Sequence, residues 1–186
     1  MDSAPQVADL FLEAGPAVHK DALISDCGQY RYWLTRSWDA GAYLLPIIML
    51  NPSTADADND DPTIRRCMAF AKRERFGGIR VVNLFAFRAT APEAMKAAAD
   101  PFGPEGSAWI ERTLQLAADG GYPVLAAWGA HGSHRDRAGS VVLSAKGWGA
   151  ELVCLGTTKD GHPRHPLYVK GDQPFVPLPP LETPHV

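Results

Sequence analysis

The chain has 186 residues, 46% hydrophobic and 21% charged, ordinary values for one globular domain that can bury a real core. Its formal net charge of −3 argues against general nucleic-acid affinity driven by the field of the whole protein. The three cysteines, Cys27, Cys67 and Cys154, have no close pairing, which argues against a disulfide framework or a four-thiolate metal site.

Residues 1–28 read as a lead-in with at best a short helix at 8–14. This acidic start lacks the basic opening of a secretory signal, and no apolar run approaches the roughly 20 residues that span a bilayer. A cytoplasmic protein with no membrane partner is expected. Residues 30–38 are rich in aromatic side chains and end in a polar turn at 39–41, the pattern of a strand. Residues 44–50 form a nearly continuous apolar run, which predicts a strand covered on both faces. After a polar loop at 51–61, Asp61 as N-cap and Pro62 at the first helical position open a helix. Ile64, Cys67, Met68 and Ala71 recur at i, i+3, i+4 and i+7, so one face is buried, and Gly77 and Gly78 are expected to end it. A second buried strand follows at 79–87, then helices at 92–99 and 106–118. A strand at 124–128, a helix at 138–146 and a strand at 151–155 complete the pattern. The proline-rich tail from residue 174 is expected to be irregular. The organisation predicted is a lead-in (1–28), a single α/β domain (29–173) and a tail (174–186).

Strands alternating with helices imply right-handed βαβ units and a three-layer α/β/α sandwich with a mainly parallel central sheet. Ligands in such sheets bind outside the carboxyl ends of the strands. The segments there are 51–61, 88–90, 129–134 and 156–165, which hold nearly all the unusual polar residues.

Asn51 leaves its strand where an amide can bind a ligand or orient a water. Pro52 stiffens the exit, and Ser53 and Thr54 add hydroxyls and backbone donors. The same residue types also make a plain turn. Asp56, Asp58, Asp60 and Asp61 do not form an EF-hand, because its sixth and twelfth places, counted from Asp56, hold Asp61 and Cys67. A cation between two carboxylates, a general base such as Asp60 or Asp61, and a solvated loop with a helix cap all stay open. Asn83 inside an apolar strand is either a satisfied core amide or a reader of a nucleobase edge. Arg88 suits a phosphate or carboxylate, or caps a neighbour. Between Arg65 and Arg80 lie six basic residues and one acid, a solvated helix face or a local phosphate footprint. The helix start with its arginines, Arg65 among them, also suits an anion.

His162, Arg164 and His165 lie in GTTKDGHPRHPLY (156–168), where they suit clamping phosphates or stabilising a leaving group; a surface loop is the plain alternative. The two histidines lack further zinc ligands spaced nearby. His131 and His134 are weaker candidates. Ser53 lacks the G-x-S-x-G elbow, and no cysteine has a histidine beside it in a recognisable pattern; a serine- or metal-dependent hydrolase is nevertheless kept as a separate class. No cofactor or resident metal is expected.

YRYWLTRSWD (30–39), LPIIMLNPSTAD (45–56), DDPTIRRC (60–67), VVNLFAFRAT (81–90), AWG (127–129) and HPRHPLY (162–168) together resemble the bacterial family catalogued as domain of unknown function 1643. A more distant similarity is to the uracil-DNA glycosylases, which share a three-layer α/β fold with a parallel sheet. That similarity implies that Asn51 matches the water-placing asparagine of an N-P motif, and that Asn83 matches a base-reading asparagine. HPRHP at 162–166 looks like their closing H-P-S loop, with Arg164 in place of serine, a departure that weakens a DNA-wedge role. The branches that carry an iron–sulfur cluster need four cysteines, one more than this chain has. The implied function is an enzyme acting on the N-glycosidic bond of a nucleobase, nucleotide or nucleic acid. Asn51, Asp60 or Asp61 would place water, and His162 or His165 would stabilise the departing base. A non-catalytic nucleotide- or nucleic-acid-binding module on the same fold is the alternative.

Overall fold

The computed structural model describes residues 18–181 except 54, 56 and 57; the helix expected at 8–14, Thr54 and Asp56 fall outside those residues. The described elements are β1 (His19–Ile24), β2 (Arg31–Ser37), β3 (Leu44–Met49), α1 (Pro62–Arg73), β4 (Gly78–Asn83), α2 (Pro92–Ala97), α3 (Gly106–Gly120), β5 (Val124–Ala126), α4 (Arg137–Trp148), β6 (Leu152–Cys154) and β7 (Val176–Pro177). Among the described residues no helix is long and apolar enough to cross a membrane.

The strands form one sheet in the order β1-β2-β4-β3-β5-β6-β7. The four central strands, β4-β3-β5-β6, are parallel. The pairs β1-β2, β2-β4 and β6-β7 are antiparallel, so the sheet is mixed. The expectation of a mainly parallel sheet holds for its centre and not for its edges. The added strands come from segments read as lead-in and tail. β1 is exposed over its first three residues, and β7 contains a proline, which suits a sheet edge. Neither shows the apolar run of a central strand, and both lie beyond the bounds 29–173.

Alternation along the strands separates two cores. Leu45, Ile47, Met49, Val81 and Leu125 face α1, which contributes Ile64, Cys67, Phe70 and Ala71. Ile48, Leu50, Val82, Val124 and Trp128 face Ile110 and Leu114 of α3 and Val141 and Ala145 of α4. β3 is therefore covered on both sides, as its unbroken apolar sequence requires.

The start of α1 follows its sequence signals. Asp61 Oδ1 accepts from the Ile64 N–H at 2.8 Å, and Pro62 opens the helix. Its end does not: the helix closes at Arg73, with Glu74 as cap and Arg75 at φ 64°. Gly78 instead permits close strand packing, since a Cβ there would meet the Arg36 carbonyl oxygen at 2.4 Å. The basic residues of α1 are largely turned onto the chain itself. Arg65 donates to the Asp60 carbonyl, Arg66 to that of Val169 and Arg73 to that of Gly171. Arg66 and Arg73 also lie over the Phe70 ring.

This topology locates a crevice. β3 feeds α1 on one face of the sheet, whereas its neighbour β5 feeds α4 on the other. Where connections diverge this way, the carboxyl ends of the two strands are left uncovered.

Candidate active site

A cavity of about 700 Å³ opens at that crevice, within the range of small-molecule sites. Asn51 and Ser53 line it from the exit of β3, Trp128, Gly129 and His131 from the exit of β5, and Arg164 and His165 from the loop after β6.

Asn51 is held by its nitrogen. Nδ2 donates to the Ala89 carbonyl at 2.7 Å and to the Pro52 carbonyl at 3.0 Å. The exits of β3 and β4 are laced further by the Ala89 N–H, which donates to the Pro52 oxygen at 2.9 Å. With both amide protons engaged, Oδ1 is the atom that Asn51 has left to offer, and it is an acceptor.

His165 caps a 3-10 turn, Pro166–Tyr168, and its Nδ1 accepts from the Leu167 N–H at 3.3 Å. That bond places the proton of the neutral ring on Nε2. Burial holds the pKa of His165 below its usual 6.5, against a weaker pull upward from Asp61. The neutral, donating form therefore prevails near neutral pH.

Gly129 stands at φ 73°, ψ −168°, a region adopted essentially by glycine alone. Its N–H donates to the Pro163 carbonyl at 3.0 Å, which pins the loop after β6 onto the exit of β5. A Cβ there would lie 3.7 Å from that of His165. Arg164 is anchored by Nε, which donates to the Thr157 carbonyl at 2.9 Å. Lys96 Nζ lies 3.2 Å from His131 Nδ1; an ammonium only donates, so Nδ1 is the acceptor and a neutral His131 carries its proton on Nε2.

Residues 31–167 match the family described as Protein of unknown function (DUF1643). The chain belongs to that family. No curated protein and no solved structure matches it. The DUF1643 match takes in every cavity segment named so far and leaves out β1 and β7.

In this DUF1643 chain the cavity gathers Asn51, Ser53, His131, Arg164 and His165 from the residues singled out in the sequence. The other described candidates stand elsewhere. Asp60 forms an ion pair with the buried Arg36 at 2.6 Å and lies 3.4 Å from Lys20 Nζ. Asp61 caps α1, and Arg65 turns to the Asp60 carbonyl. Arg88 donates to the Gly28 carbonyl at 3.1 Å. Pro52 is buried next to the wall and presents its carbonyl to Asn51 and Ala89. His162 sits in the turn closed by the Thr157–Pro163 bridge, its Nδ1 buried without a partner. Asn83 is 3% exposed at the end of β4, and neither amide atom has a partner. Neither Asn83 nor His162 is on the cavity wall.

Sequence reasoning missed Trp128, Thr158 and Tyr168 as wall residues. The A-W-G run was the available signal for Trp128, whose Nε1 is buried and unpartnered. Tyr168 is 80% exposed with its ring centroid 5.6 Å from that of His165, and only the fold places it at the rim. Among the described residues no group of three histidine, cysteine or acidic side chains is placed to hold a metal.

Proposed function

We propose that this cavity binds a nucleobase-bearing substrate and hydrolyses its N-glycosidic bond, on a sheet arranged like that of the uracil-DNA glycosylases. The observation that carries the reading is an acceptor and a neutral donor in one crevice: Asn51 Oδ1 and His165 Nε2–H. Cleavage of this bond leaves positive charge on the sugar and negative charge on the base. A neutral imidazole can donate to the base as its charge grows, and Asn51 Oδ1 can hold a water on the sugar side. The C–N bond breaks with its electron pair going to the base. Water oxygen bonds the sugar carbon, and one water proton ends on the base. The carboxylates Asp60 and Asp61 are engaged elsewhere, so the route is dissociative, with the water positioned more than activated. Leu50, Trp128 and Tyr168 supply apolar surface for a planar ring.

The test is release of free base, followed by chromatography, from uracil-containing and mismatched oligonucleotides, nucleosides and nucleotides. Asn51→Ala and His165→Gln should each lower turnover by about 100-fold, the scale of a lost transition-state hydrogen bond, with the fold intact by circular dichroism. Ser53 lines the same cavity, so a collapse of activity in Ser53→Ala would instead favour a serine-dependent hydrolase. Base release from none of these substrates would overturn the proposal.

A further inference from the structure

We infer that the ligand of this cavity is a free mononucleotide whose phosphate monoester sits on Arg164, and not a nucleic-acid strand. The inference rests on the nucleobase reading above and narrows its substrate class.

Arg164 is a built anion contact. Its Nε is fixed to the Thr157 carbonyl at 2.9 Å and its backbone N–H to the Gly156 carbonyl at 2.9 Å. That anchoring sets the guanidinium plane and leaves the two terminal nitrogens for a ligand. The ion pairs among the described residues join Lys20 and Arg36 to Asp60, Arg73 to Glu74 and Lys96 to Glu93; Arg164 is in none of them. A planar fork of this kind matches a phosphate through two parallel hydrogen bonds. Thr158, from the same loop, also lines the cavity. No carboxylate of the described residues stands on the wall to repel an anion.

The remainder of the surface decides between one phosphate and many. A protein that tracks a strand neutralises several phosphates at once. Here the candidate residues for such a track, Arg65, Arg66, Arg73 and Arg88, each commit a terminal guanidinium nitrogen to a backbone carbonyl, whereas Arg164 is anchored through Nε. Beside the cavity loop, Lys159 and Lys170 are offset by Asp160 and Asp172, and the chain as a whole carries −3. One guanidinium at a small-molecule cavity suits one phosphate.

Calorimetric titration with nucleoside monophosphates, the matching nucleosides, and single- and double-stranded oligonucleotides tests this. At least one monophosphate should bind about tenfold or more tightly than its nucleoside, the usual worth of a charged hydrogen bond. Arg164→Gln should remove that margin while changing nucleoside affinity by less than about twofold, and Arg164→Lys should restore part of it. Arg164 is exposed, so thermal melting should confirm that each variant is folded. Preferred binding of oligonucleotides, with a log–log salt slope of several times about −0.9, would overturn the inference, as would equal affinity for monophosphate and nucleoside. Base release without a monophosphate preference overturns this inference alone. A monophosphate preference without base release overturns the hydrolytic reading alone.

Discussion

His165 combines two properties that usually conflict: a half-buried position and a titratable ring. Burial holds its pKa below 6.5 in the folded chain, whereas the unfolded chain leaves it near that value. Protons therefore bind the unfolded state more readily. The stability tied to a neutral His165 is fully present above pH 6.5 and is lost as pH falls through the folded-state value. Denaturant unfolding measured on both sides of pH 6.5 should show this slope, and His165→Gln should flatten it; an unchanged slope would mean that another group sets it. At this scale the sequence was only partly legible. Asn51 is readable as a polar residue directly after a strand, and Arg164 and His165 as a basic cluster in a proline-braced loop. Gly129 is not, because its reason is a backbone angle. Asn83 was readable as buried, but its side chain turned out to be neither satisfied nor on the cavity wall.

The acidic stretch before α1 divides its work between two neighbours. Asp61 satisfies one orphan N–H of the helix; Asp60 neutralises Arg36, whose side chain is wholly buried. Removing a cap costs about 1 kcal/mol, whereas removing one partner of a buried ion pair costs about 3 kcal/mol. Urea unfolding should therefore find Asp60→Ala clearly more destabilising than Asp61→Ala; equal effects would contradict this division. The helix start and the buried strands β3 and β4 were legible because capping and apolar runs are local signals. The helix end was not, because Gly77 serves a close approach to the turn at 39–42 and Gly78 one to β2, both of which only the folded sheet creates.

Across the whole molecule the divergence of β3 and β5 sets the place of the cavity, and the antiparallel edge β1-β2 braces it. Lys20 of β1 donates to the Asp58 carbonyl at 2.9 Å and reaches Asp60, while Arg31 of β2 donates to the Ala55 carbonyl. A chain shortened to begin after Ile24 should lose this brace and expose β2 as a sheet edge. Size-exclusion chromatography should show association, and calorimetry a weaker hold on any cavity ligand; a monomer with unchanged affinity would refute the brace. The parallel centre was legible from the alternation of strands and helices. The edges were not, since edge strands carry little apolar signal.

The tethers from Arg66 to Val169 and from Arg73 to Gly171 join residues about a hundred positions apart in the chain. Contacts of such long sequence separation carry a loop-closure entropy that the rest of the folded chain must offset. The wall that carries Arg164 and His165 is thus held on α1 only in the folded chain. Occupancy of the cavity then draws on the native state alone, so ligand and global stability are linked by mass action. For this protein a shift in melting temperature is a direct readout of binding.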